Sequence, residues 1–102
     1  MKAAAIFVLA ATLALPALAT NIELAQSKNC LSCHMLDQKL VGPAYRDVAA
    51  RYAGQDEALG RLAEKVQKGG TGVWGSAVMP PNQVSQEEAR QLVGWILSLK
   101  KK

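Results

Sequence analysis

The chain has 102 residues, half of them hydrophobic, with a formal net charge of +4 and only two Trp, two Tyr and one Phe. That length holds one domain at most. Apart from a terminal Lys100-Lys101-Lys102 the basic residues are scattered, with no interleaved basic and aromatic stripe, so nucleic acid is not an expected partner.

Met1 and Lys2 make a short positive start, residues 3–15 are almost unbrokenly apolar, and Ala17-Leu18-Ala19 meets the small-x-small rule for cleavage. Residues 1–19 therefore read as a cleaved secretory signal peptide, with Thr20 as the first mature residue. An uncleaved membrane anchor is the alternative, but it needs about 20 apolar residues, and Pro16 with the small residues around it argues for cleavage. The domain is then residues 20–102. Losing Lys2 with the leader leaves eleven basic against eight acidic residues, about +3. A domain of this size buries a thin core and usually needs a disulfide, a metal or a cofactor. Its aromatics are only Tyr45, Tyr52, Trp74 and Trp95.

Apolar spacing in the mature part is helical, and no stretch alternates like a strand. Residues 22–28 form a short predicted helix that ends just before a Cys pair. A loop follows over 39–42, and Gly42-Pro43 is a turn or an extended dipeptide, because proline restricts its predecessor. Residues 44–52 are predicted helical, stopped by Gly54. Asp56 is the expected cap of a third helix reaching Lys68, with Leu59, Leu62, Ala63 and Val66 on one face. Four glycines from Gly69 to Gly75, then Pro80-Pro81, rule out a regular element over 69–84. Ser85 and Glu88 spell a capping box for a last helix, and Ala89, Leu92, Val93 and Ile96 fall on its buried face. The expected fold is all-α, with about four short helices and one long loop that needs a reason to be ordered.

Cys30-Leu31-Ser32-Cys33-His34 is a c-type haem attachment pattern. Thiols two residues apart can form thioethers to two vinyl groups on one porphyrin edge, and the adjacent histidine then coordinates iron from below the ring. Secretion agrees, since c-type haem is attached outside the cytoplasm. Other uses of the Cys pair fit less well. A thioredoxin-like site needs a βαβ setting. Structural zinc needs four ligands, and the chain has no Cys or His beyond these three. A disulfide between Cys30 and Cys33 closes too small a loop to stabilise much.

The second iron ligand follows by elimination. His34 is the only histidine, and the mature methionines are Met35 and Met79. Met35 is tied beside His34, whereas Met79 sits in the long loop with Pro80-Pro81 stiffening the backbone behind it. A methionine alone is more often core filler, but this one can reach iron from the distal side and gives the loop its reason to be ordered. Protein ligands on both faces leave no open iron position, which points to one-electron transfer rather than to an enzyme. Two alternatives remain at this stage. One is a ligand sensor or peroxidase-like protein in which Met79 leaves the iron; the other is a fixed electron wire in a larger complex.

The chain resembles the small bacterial class I cytochromes c of the c-551/c-552 type over essentially its whole mature length. The resemblance is carried by the haem pentapeptide, Val41-Gly42-Pro43-Ala44-Tyr45, Gly72-Val73-Trp74-Gly75, Met79-Pro80-Pro81-Asn82 and the last helix around Trp95. It implies the class I cytochrome c fold around one covalent haem c, and a periplasmic monomer carrying electrons in a respiratory chain, for example towards a nitrite reductase or a terminal oxidase. It also implies that the Pro43 carbonyl orients His34, that the Trp74 indole donates to a haem propionate, and that Asn82 lies near the Met79 sulfur. Trp95 would pack the last helix against the first, opposite Leu24. Some members have an arginine near the propionates where this chain has Lys65, which keeps the charge but not the planar fork. Redox partners would dock transiently at the haem edge, around Cys30, Leu31, Ser32 and the Met79-Pro80-Pro81 loop.

Overall fold

The structure, a computed structural model, describes residues 20–99; the leader expected at 1–19 lies outside the described residues. The first helix, α1 (Asn21–Ser27), is capped by Thr20, whose Oγ1 accepts from the Glu23 amide at 3.1 Å. It ends in a reversal at Asn29, the one described non-glycine residue in the left-handed region (φ 64°), a conformation asparagine tolerates better than most. A single 3-10 turn, Cys30–Ser32, follows at once.

The second helix, α2 (Tyr45–Arg51), starts without a side-chain cap because Ala44 precedes it. Backbone carbonyls fill that role. Tyr45 and Arg46 donate their amides to Met35 and Leu36 at 2.9 and 3.0 Å. The free N–H groups of a helix start are thus satisfied by the segment just after His34, which ties α2 to the pentapeptide.

The third helix, α3 (Ala58–Lys68), corrects the expected start. Its N-cap is Glu57, not Asp56, and no side chain caps it. The chain reaches it through tight turns, with Gln55 donating to the Tyr52 carbonyl and Ala58 to the Gln55 carbonyl, both at 3.1 Å. Ala58, fully buried, therefore finds its acceptor in the backbone, and an aspartate cap is not needed. The last helix, α4 (Gln86–Ser98), has the capping box as expected: the Glu88 amide donates to Ser85 Oγ at 3.0 Å, and the Ser85 amide to Glu88 Oε1 at 2.9 Å.

Residues 69–84 contain no helix. Among the described residues the only strand-like pairing is one antiparallel bridge between Gly70 and Met79. The fold is all-α, with α3 and α2 both packed on α4 and α1 touching the N-terminal half of α4. There Gln91 donates to Asn21 at 2.9 Å and Lys28 pairs with Glu88 at 3.5 Å.

The core is made largely of small side chains. Ala25, Ala44, Ala58, Ala63 and Ala89 are each 3% exposed or less, and the largest fully buried side chains are Leu92 and Val93. Ala63, Ala89 and Val93 form its centre, with Leu59, Leu62 and Val66 packed around them. Both helix faces expected from the sequence are therefore the ones that turn inward. Leu62 and Val66, with Leu92, Val93 and Ile96 of α4, also form the wall of a large cavity.

Candidate haem-binding site

The cavity measures about 390 Å³, and Cys30, Cys33, His34, Trp74, Met79 and Asn82 all line it. The 3-10 turn gathers the first three: the Cys33 and His34 amides both donate to the Cys30 carbonyl, at 3.1 and 3.0 Å. Both thiols are free. Burial raises the Cys30 thiol pKa above its ordinary value.

His34 is held on several sides. Its Nδ1 donates to the Pro43 carbonyl at 2.8 Å, which leaves Nε2 as the nitrogen able to bind a metal. Burial lowers its pKa, the Pro43 contact partly opposing this, and the neutral form is the one that ligates. Gly42 lies against the same ring. A Cβ built there would sit 2.5 Å from Cε1, 2.9 Å from Nδ1 and 3.0 Å from Nε2. Three such similar separations place it over the imidazole face rather than off its edge, so this position excludes any side chain. Tyr45 stacks on the ring with centroids 4.8 Å apart and planes 23° apart.

Met79 arrives on the long loop, pinned by two backbone hydrogen bonds. Gly70 donates to the Met79 carbonyl at 3.0 Å, and Met79 to the Gly70 carbonyl at 2.8 Å. Gly69 ends α3 at φ 83°, and a Cβ there would lie 2.6 Å from the Met79 carbonyl oxygen. Asn82 ties the loop down. Its side-chain amide donates to the carbonyls of Val66 at 2.9 Å and Pro80 at 3.2 Å, and its backbone amide also donates to Val66. Trp74 is half-buried with the Arg51 guanidinium stacked over it at 4.9 Å. Lys65 also lines the cavity, its alkyl stem against Gly70. Trp95 makes its ring contact with Tyr45 of α2, edge-on at 5.8 Å.

Three of these features escaped the sequence reading: the contact of Gly42 with the imidazole, the Tyr45 stack, and the cover of Arg51 over Trp74. Gly42 and Tyr45 stand within three residues of Pro43, the histidine's acceptor, and that proximity was the available signal. Nothing local marks Arg51, which meets Trp74 only through the fold.

The donor set fits a covalently held macrocycle. Two free thiols two residues apart, an imidazole with its Nε2 available and a thioether share one largely apolar cavity. The rival uses of the Cys pair find no support. Among the described residues there is no βαβ unit, and no three His, Cys, Asp or Glu side chains converge on a metal-sized point.

A family model for cytochrome c matches residues 22–100. The chain belongs to the cytochrome c family. This cytochrome is 56% identical over 80 residues to cytochrome c-552 of Hydrogenobacter thermophilus, covering 78% of this chain and 82% of that one. It is 52% identical over 75 residues to cytochrome c-551 of Pseudomonas aeruginosa, covering 74% and 72%. Among solved structures, wild-type cytochrome c552 of Nitrosomonas europaea superposes with a TM-score of 0.75 at 49% identity, covering 78% of this chain and 99% of that one. The fold is that of the small class I cytochromes c. This cytochrome binds one covalently attached haem c and is an electron-transfer protein.

Proposed function

We propose that this cytochrome is a periplasmic one-electron shuttle, released by cleavage after Ala19, with thioethers at Cys30 and Cys33 and iron held by His34 and Met79. The observation that carries this reading is that His34 and Met79 line one cavity, each fixed by its own backbone partner. The Pro43 carbonyl holds the imidazole, and the bridge to Gly70 holds the methionine loop. When bound, haem c supplies a one-electron iron couple.

The chain does the rest. Pro43, by accepting from Nδ1, keeps His34 in the tautomer that presents Nε2 and increases its basicity. Met79 offers a soft thioether, which with histidine favours a raised reduction potential. Leu62, Val66, Leu92, Val93 and Ile96 keep water from the cavity wall. The Trp74 indole N–H is the donor for a propionate, and Asn82, by anchoring residues 80–82 to α3, fixes the backbone from which Met79 projects. Two rigid ligand supports keep geometric change on electron exchange small.

The protein acts as a monomer that meets redox partners briefly. The contact patch is the surface around Cys30, Leu31 and Ser32 with the Met79-Pro80-Pro81 loop. Its apolar character is supported by Leu40, which is 47% exposed. A charge reversal at Lys28 or Lys39, beside this patch, is expected to change the second-order rate of electron transfer to the native partner severalfold, with a salt-dependent difference. Rates that respond only to changes at the remote ends of α3 contradict the patch. The N-terminal sequence of the periplasmic protein is expected to begin at Thr20; an intact Met1 contradicts the cleaved leader.

A further inference from the structure

His34 belongs to a column of three rings. Tyr45 stacks on the imidazole at 4.8 Å, and Trp95 of α4 presses edge-on against Tyr45 at 5.8 Å with planes 81° apart. Tyr45 is only 4% exposed, and its amide is tied to the Met35 carbonyl, so neither its ring nor its main chain is free to move. The column thus runs from the last helix to the imidazole.

A single hydrogen bond is a loose angular restraint, since its strength falls slowly over tens of degrees. The Pro43 carbonyl at Nδ1 and the Gly42 backbone beside Cε1 restrain the imidazole at one corner, which leaves it some freedom to rotate about the axis through the ligating nitrogen. A stacked aromatic removes that freedom, because rotation or tilt opens the contact on one side and closes it to overlap on the other. We infer that Tyr45 is a positioning residue for the axial imidazole: its ring, backed by Trp95, fixes the orientation of the His34 plane. This rests on the reading that His34 ligates the iron. A tyrosine that merely filled the core would affect stability and leave the ligand plane alone.

The two are separated by the proton NMR spectrum of the ferric holoprotein, in which the haem-methyl shifts report how the axial ligand planes lie. The wild-type absorption spectrum is recorded first; without the weak far-red methionine–iron band, the ligand reading itself fails before Tyr45 is tested. With the band present, Tyr45→Phe, which keeps the stack, is expected to retain the wild-type methyl pattern. Tyr45→Leu is expected to reorder or collapse the spread of the methyl shifts at temperatures well below its unfolding. Trp95→Leu, which leaves Tyr45 in place but removes its backing, is expected to shift the pattern in the same sense by less, and it carries the test if Tyr45→Leu does not take up haem. An unchanged pattern in Tyr45→Leu or, where that variant does not take up haem, in Trp95→Leu overturns the inference. A Tyr45→Phe pattern displaced as far as that of Tyr45→Leu also overturns it.

Discussion

At the scale of single residues, His34 is governed by neighbours that share one short stretch of chain. Pro43 takes its Nδ1 proton, Gly42 leaves room for its face and Tyr45 stacks on it. Gly42→Ala places a methyl 2.5 Å from Cε1, so the ring or the loop must move. The expected cost is that of overpacking, about 1–3 kcal/mol, seen as a lower Tm of the holoprotein together with a weakened methionine band. An unchanged Tm and spectrum would show that the loop yields freely. At the cavity's other wall, Arg51 covers Trp74 at 4.9 Å. Arg51→Gln is expected to cost about 0.5–1 kcal/mol, read as a lower Tm of the holoprotein; an unchanged Tm would remove the role of this contact. That Cys30, Cys33, His34 and Met79 share one cavity was legible in the sequence from a short motif and elimination, and the Pro43 contact with His34 from the family resemblance. Gly42, Tyr45 and Arg51 were not, because each acts by touching a ring that only the folded chain brings near.

At the scale of elements, α4 shows how far local signals reach. Its capping box was spelled by two side chains three residues apart and is present as spelled. Ser85→Ala is expected to cost about 1 kcal/mol in thermal unfolding. The Ser85 amide holds the Glu88 carboxyl below its ordinary pKa. A carboxyl with a lowered folded pKa stabilises the fold above its unfolded pKa, and that contribution fades as pH falls through the folded value. Wild-type Tm is therefore expected to fall more steeply than that of Glu88→Gln as pH drops through and below the ordinary carboxylate range. Parallel curves would remove the role of Glu88. The start of α3 was not legible, because backbone turns over residues 52–58 did the work assigned to Asp56. Nor was the reversal at Asn29, which follows from where the attachment turn must go. The loop over 69–84 was correctly read as irregular. Its closure between Gly70 and Met79 and its anchoring to Val66 of α3 left no local mark.

At the scale of the whole molecule, the all-α fold was legible from helical apolar spacing and from the short list of large side chains. A core centred on Ala63, Ala89 and Val93 buries little area per residue, and small domains of this kind lean on a bound group for stability. The double change Cys30→Ala with Cys33→Ala, prepared free of haem, is expected to lack the cooperative thermal transition in circular dichroism. A sharp transition near the holoprotein's would show that the helices hold each other unaided. The matching of the cavity to both ends of the chain, His34 from the first third and Met79 from the last, is what makes haem, fold and electron transfer one account. Its most direct test is the absorption spectrum of the ferric holoprotein and of its Met79→Ala variant. The wild type is expected to show the weak far-red methionine–iron band, and the variant to lose it together with a fall in reduction potential. A wild type without the band, or a variant that keeps it, would contradict Met79 as the second ligand.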